Sequence, residues 1–240
     1  MSTRVLFIQF EADTHAGRVG ACLEALGAMT EVARMYRGDQ LPELEGYDGV
    51  VLLGGTMNAE DDARHPYLPD VVALLQEALR RAVPVLGICL GGQLLARAVG
   101  ARIWRKPAAE IGYFPIRLTE AGRADPLFQG LGDELLTLQW HYDAFDVPAG
   151  ATLLADSPRD SAQAFRLGSC HGLQFHPEVT PEMVAQWSTW NPAALGAAAQ
   201  PTTREKLLDT AFQEDERFAA QTRQLCENWL KIVADRAAGR

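Results

Sequence analysis

The chain has 240 residues, enough for one large domain or one domain with an appendage. Hydrophobic residues make up 48% and charged residues 22%, a balance that gives a packed core and excludes bulk disorder. Acidic side chains outnumber basic ones 31 to 22, a net charge of −9 that argues against a nucleic-acid or anionic-membrane surface.

In chain order, "RVLFIQF" (4–10) reads as a buried strand, its apolar run too short for a signal peptide. "RVGACLEALGA" (18–28) reads as a short amphipathic helix, "EVARMYR" (31–37) alternates weakly, and "YDGVVLLGG" (47–55) is an apolar strand ending in two glycines. A helix over 67–82, the strand "PVLGI" and the helix "LGGQLLARAVG" follow. Strands that are apolar throughout, alternating with helices, predict a doubly wound, mostly parallel α/β sheet covered on both faces.

After Gly100 the texture becomes β-rich, with short pieces at 112–118, 134–140, 151–157, 163–167 and 170–175. These are expected to extend the sheet with antiparallel strands. Residues 190–203 read as a connector of small residues. From Arg204 to about Ala234 apolar residues recur in steps of three and four, marking a long amphipathic helix with room for one break. The expected organisation is a domain over 1–190 and a C-terminal helical extension over 191–240. That extension has two readings, packing on its own domain or pairing two copies as a homodimer.

No stretch approaches a membrane span. The four cysteines (Cys22, Cys89, Cys170, Cys226) include no CxxC pair, so neither a disulfide scaffold nor a zinc site is expected, and a reducing cytoplasm fits. No HExxH or regular acidic loop points to a metal. Cys22 and Cys226 fall on apolar helical faces and are expected in the core.

Three segments carry chemistry. In "PVLGICLGGQLLARAVG", Cys89 stands between Gly87 and Gly91 where a strand turns into a helix. Glycines there relieve crowding at a sharp turn, and a helix N-terminus favours thiolate over thiol. The residues alone leave two readings, a buried thiol at a turn or a displayed nucleophile. In "GLQFHPEVTPE", His176 and Glu178 face one way if the segment is extended, and Pro177 restricts the histidine before it to extended conformations. A carboxylate so placed fixes the imidazole tautomer and stabilises the imidazolium; the alternative is a surface His-Pro-Glu turn. In "VVLLGGTMN", Gly54 and Gly55 end a buried strand, where backbone N–H groups can meet an oxyanion.

Together these segments resemble the class I glutamine amidotransferase family. "GICLGGQ" is similar to its G-x-C-x-G-x-Q nucleophile motif and "GLQFHPEVT" to its His-Pro-Glu motif, the resemblance covering roughly residues 4–190. Within the family it is to the glutaminase domain of GMP synthase and to free-standing proteins like that domain. The resemblance implies a flavodoxin-like fold and a γ-glutamyl substrate, glutamine by default, with no cofactor or metal. It implies Cys89 as nucleophile, His176 as base, Glu178 as its orienter, and the backbone N–H groups of Gly55 and Leu90 as the oxyanion hole. Gln93 would help hold the substrate, and His141 and Tyr142 in "LQWHYDAF" would line its pocket.

Two departures stand out: Thr56-Met57 follow Gly55 where the family often has Gly-Pro, and Tyr142 stands where a small residue is usual. Tyr142 either narrows the pocket or points away. Among other candidates, His141 is a rival base with only Asp143 at two-residue spacing, and His171 has no evident partner. His15 and His65 read as surface residues, Glu110 and Tyr113 as pocket borders, and "EDDARH" (60–65) as a solvated loop or pocket rim.

With no nucleotide-binding Gly-rich loop, ammonia would pass to a separate synthetase chain or to none. The alternatives are a γ-glutamyl peptidase or hydrolase acting on larger γ-glutamyl compounds, and a non-catalytic regulatory subunit.

Overall fold

The computed structural model describes residues 2–239. A nine-stranded sheet runs through it in the order β2-β1-β3-β4-β9-β8-β7-β5-β6. Its parallel half contains β1 (Arg4–Gln9), β2 (Met29–Arg34), β3 (Gly49–Leu52), β4 (Val85–Ile88) and β9 (Cys170–Leu173). The antiparallel half contains β5 (Ile103–Leu118), β6 (Glu134–Phe145), β7 (Thr152–Ser157) and β8 (Asp160–Leu167). Helices α1 (Gly17–Ala25), α2 (Leu68–Arg80), α3 (Leu90–Ala98), α4 (Glu120–Ala124), α5 (Pro181–Trp187), α6 (Pro192–Ala197), α7 (Arg204–Gln213) and α8 (Asp215–Ala237) surround it.

β3 and β4 are buried at every residue because both sheet faces are covered. Alternate residues go to opposite layers. Leu6, Ile8, Val50 and Leu52 pack with Leu75 of α2 and Leu94 of α3. Val5, Phe7, Val51 and Leu53 pack with Leu23 of α1 and with Leu225, Trp229 and Val233 of α8. The C-terminal helix therefore shares the core of the parallel sheet. A third cluster joins Val184 and Trp187 of α5 and Leu207 and Ala211 of α7 to Ile111 and Leu138 of the β5–β6 hairpin.

Three expectations change. The piece at 170–175 is not an antiparallel strand alone: β9 pairs parallel to β4 (Ile88↔Leu173) and antiparallel to β8, so it joins the two halves. Both its edges are thereby occupied by long-range partners, which no local pattern reveals. β5 begins at Ile103, well before 112, because Lys106 breaks the apolar pattern yet is buried by ion pairs described below. The connector 190–203 holds α6, capped by Asn191 Oδ1 accepting from Ala194 N. The long helix takes the one break its pattern left room for, at Glu214, which separates α7 from α8. No helix among the described residues is long and apolar enough to cross a membrane.

Candidate active site

Adjacent parallel strands β3, β4 and β9 deliver three segments to one crevice beyond their carboxyl ends, where open α/β sheets place ligands. After β4 comes Cys89, with φ 50° and ψ −106°. Only Ala82 shares a positive φ among the described non-glycine residues. A conformation of this kind costs about 1–3 kcal/mol and is held by its surroundings. Cys89 N donates to Leu173 O at 2.8 Å, and Gln93 N donates to Cys89 O at 2.9 Å, which starts α3 at once. The turn closes only because its flanks lack side chains: a Cβ on Gly87 would lie 2.5 Å from Gly91 O, and one on Gly91 2.5 Å from Leu52 O.

Beyond β9, His176 N donates to Leu138 O at 3.0 Å, which pins the turn to β6. His176 Nδ1 and Glu178 Oε1 are 2.7 Å apart, both groups buried. His176 Nε2 has no closed hydrogen bond within the protein. The Cys89 side chain lies beside the ring, and a Cβ on Gly54 would fall 3.1 Å from His176 Cε1 and 3.8 Å from Cys89 Cβ. Burial works to lower the imidazole pKa, but the charges of Glu178 and Cys89 outweigh it and hold His176 well above the ordinary histidine value. Gln174 Nε2 donates to Cys89 Sγ over 3.8 Å, and Trp140 O lies 4.0 Å from the same sulfur.

A cavity of about 220 Å³ opens over these groups and is lined by Gly55, Cys89, Gln93, His141, Tyr142 and His176 among others. Trp140, Trp187 and Trp190 form an aromatic wall, with Trp187 edge-on to His176 at 5.0 Å and stacked on Trp190 at 5.3 Å. The sequence reading missed this wall; its signal is the three-residue spacing of Trp187 and Trp190 just after the His-Pro-Glu segment. Tyr142 does line the cavity, with the Arg105 guanidinium 4.6 Å over its ring. Thr56 N and Oγ1 both donate to the Glu11 carboxylate, at 3.1 and 2.5 Å, fixing the loop after Gly55.

His141 is not partnered by the Asp143 carboxylate, which instead faces Arg105 at 3.4 Å. Its Nδ1 donates to the Asp143 carbonyl at 2.9 Å, the same oxygen that accepts from Gln93 Nε2 at 3.0 Å. Its Nε2 faces Glu110 Oε2 at 3.5 Å. Behind it, Lys106 Nζ lies 3.2 Å from Glu110 Oε2 and 3.0 Å from Asp160 Oδ2, all deeply buried. Glu110, His141 and Asp160 bring three potential metal ligands together, but the Lys106 ammonium already supplies positive charge there.

Tyr113 packs on Phe218 at 5.2 Å and does not line the cavity. His171, expected to lack a partner, has Asp125 Oδ1 at 3.0 Å. His15 is exposed, and His65 is half-buried with Tyr67 Oη 3.2 Å from its Nδ1. Within 60–65, Asp62 pairs with Arg97 at 2.6 Å and does not line the cavity.

The sequence profile described as "Glutamine amidotransferase class-I" matches residues 15–186. The chain belongs to the class I glutamine amidotransferase family. Family members are cysteine amidohydrolases, and this amidotransferase carries a cysteine at the strand-to-helix turn just described. It is 34% identical over 186 residues to a glutamine amidotransferase-like protein, YfeJ, of Salmonella typhimurium, covering 75% of this chain and 78% of YfeJ. It is 30% identical to the GMP synthase of Aeropyrum pernix over 87% of its own length, but spans only 41% of that enzyme. Among solved structures, a glutamine amidotransferase from Thermotoga maritima superposes with a TM-score of 0.87 at 32% identity, covering 95% of this chain and 98% of that one.

Proposed function

We propose that the chain hydrolyses a γ-glutamyl amide, L-glutamine by default, with Cys89 as nucleophile, His176 as proton carrier and Glu178 as its orienter. The observation that carries this reading is the 2.7 Å His176–Glu178 contact beside a cysteine held at positive φ in the same cavity. His176 Nε2 takes the Cys89 proton, and the sulfur attacks the side-chain carbonyl carbon. The oxyanion meets the backbone N–H groups of Gly55 and of Leu90, the first residue of α3, at the positive end of that helix. The imidazolium then gives its proton to the departing nitrogen, ammonia leaves, and a γ-glutamyl thioester remains. His176 next takes a proton from water, which attacks the thioester and frees glutamate and the thiol.

Gln93 and His141 both donate to the Asp143 carbonyl, which supports a role in shaping the substrate pocket, with Tyr142 at its rim. The similarity to GMP synthases supports a synthetase as the recipient of ammonia. The aromatic wall favours one second reading, a γ-glutamyl hydrolase whose leaving group is larger than ammonia.

The test is release of ammonia and glutamate from L-glutamine by wild type beside Cys89→Ala. Cys89-dependent release supports the first reading. Release from γ-glutamyl dipeptides but not from glutamine supports the second, and turnover by Cys89→Ala rejects both.

A further inference from the structure

Two helices hold the segment that carries His176 and Glu178. From α1, Arg18 N donates to Glu178 O and Arg18 Nε to Val179 O, each at 2.8 Å. From α8, Thr222 Oγ1 donates to Pro177 O at 2.7 Å, and Asp215 accepts from the Arg18 guanidinium. One helical turn further along each helix stands a cysteine, Cys22 four residues after Arg18 and Cys226 four after Thr222.

Both cysteines lie in the cluster that packs α1 and α8 together against the sheet. Cys226 is fully buried and its Sγ lies 3.9 Å from Val19 O, in the turn of α1 that precedes Cys22. Cys22 is only half-buried, contrary to the expectation that both belong to the core, and opens into a groove lined by Arg18, Ala21, Ala219 and Arg223. The neighbouring Cys226 thiol pulls the Cys22 thiol below its ordinary pKa; burial opposes this, and the Arg223 and Arg18 guanidinium groups add to the pull. The same proximity, with burial, pushes Cys226 up. One member of the pair is thus accessible and disposed to ionise, while the other is sheltered and keeps its proton.

We propose that Cys22 and Cys226 are a site of reversible oxidation by hydroperoxides, closing a disulfide that ties α1 to α8 one turn from their contacts with the His176–Glu178 segment. The Cys22 sulfur attacks the terminal peroxide oxygen, the O–O bond breaks, and the other oxygen leaves with the thiol proton, as water from hydrogen peroxide or as an alcohol from an organic hydroperoxide. Cys226 then attacks the resulting sulfenic sulfur, forming the S–S bond and expelling the second oxygen as water with its own proton. Two electrons pass from the thiols to the peroxide. A dithiol reverses the reaction.

The proposal does not rest on the glutaminase reading, and its test reads mass, not turnover. Folded Cys89→Ser protein, which lacks the competing site thiol, is treated with hydrogen peroxide and digested without reduction. Expected is a linked pair of peptides carrying Cys22 and Cys226, lighter by two hydrogens than the two peptides summed and parted by dithiothreitol. The linked protein should melt higher by roughly 5 °C or more, because the bond closes a loop of most of the chain. Slower amide exchange at Val179 is expected with it. Removing Cys226 (Cys226→Ala) should leave a Cys22 sulfenic acid that dimedone traps; should that variant not fold, Cys22→Ser, at the half-exposed position, should abolish the link. Peroxide-treated protein in which the two peptides remain separate, or become linked only after denaturation, overturns the proposal.

Discussion

Glu178 Oε1 lies 2.7 Å from His176 Nδ1, and the two residues are separated in sequence only by a proline. The carboxylate fixes which nitrogen faces Cys89 and holds the imidazole pKa up against burial. Replacing it by an amide (Glu178→Gln) keeps the shape but removes the charge, so the pKa falls. With the imidazolium proton needed by the departing nitrogen, the alkaline limb of the kcat/KM profile marks loss of that proton. The limb should move to lower pH in Glu178→Gln, with kcat reduced roughly 10²–10⁴-fold. A profile superimposable on wild type would remove Glu178 from the proton relay.

The turn at Cys89 depends on an absent side chain. A Cβ at Gly91 would lie 2.5 Å from the Leu52 carbonyl, a backbone group in the middle of the sheet that cannot move aside. For Gly91→Ala we expect a loss of about 2–3 kcal/mol, read as a melting temperature lower by roughly 5–10 °C. An alanine variant as stable as wild type would show that α3 can shift away from β3.

Asp125 supports the far side of the sheet and gives a pH signature. Its carboxylate meets His171 Nε2 at 3.0 Å, Leu127 N at 2.9 Å and Arg166 Nε at 2.7 Å. Burial alone would raise its pKa, but the His171 contact, the Leu127 amide and Arg166 together hold it below 3.8. A carboxyl depressed in the folded state contributes stability that is fully present above its unfolded pKa and lost as pH falls through the folded value. The stability gap between wild type and Asp125→Asn, measured by urea unfolding, should therefore be constant above about pH 5 and close on acidification. A gap that widens in acid would contradict the assignment.

Lys106 neutralises two buried carboxylates, Glu110 and Asp160. For Lys106→Met we expect a loss of about 3–5 kcal/mol, since it leaves charge uncompensated in the interior. Adding Glu110→Gln and Asp160→Asn should recover most of that loss, and a triple variant as unstable as the single one would show that packing of the lysine stem dominates. Because Glu110 backs His141 at the cavity wall, the single variant should also raise KM more than it lowers kcat.

What the sequence determined by itself is what depends on local order along the chain. The strand-turn-helix at Cys89 was legible because apolar run, glycine spacing and helical periodicity occur within seventeen residues, 84–100. His176 and Glu178 do meet as their two-residue spacing suggested, but across a turn at Pro177–Glu178 and not along an extended segment, so only their pairing and not its geometry was legible. The doubly wound half of the sheet was legible because strands buried on both faces are apolar throughout.

Only the tertiary structure decided what depends on which distant segments become neighbours. The place of β9 between β4 and β8, the buried charges of Lys106, Glu110 and Asp160, and the Asp125 partner of His171 are all contacts between remote segments. Lys106 looked like a break in a strand because a short window shows its charge and not its counter-ions. Cys22 and Cys226 looked like unrelated core thiols at opposite ends of the chain. Docking of α8 on α1 makes them neighbours, because burial of Leu225, Trp229 and Val233 against the sheet fixes where the last helix lies.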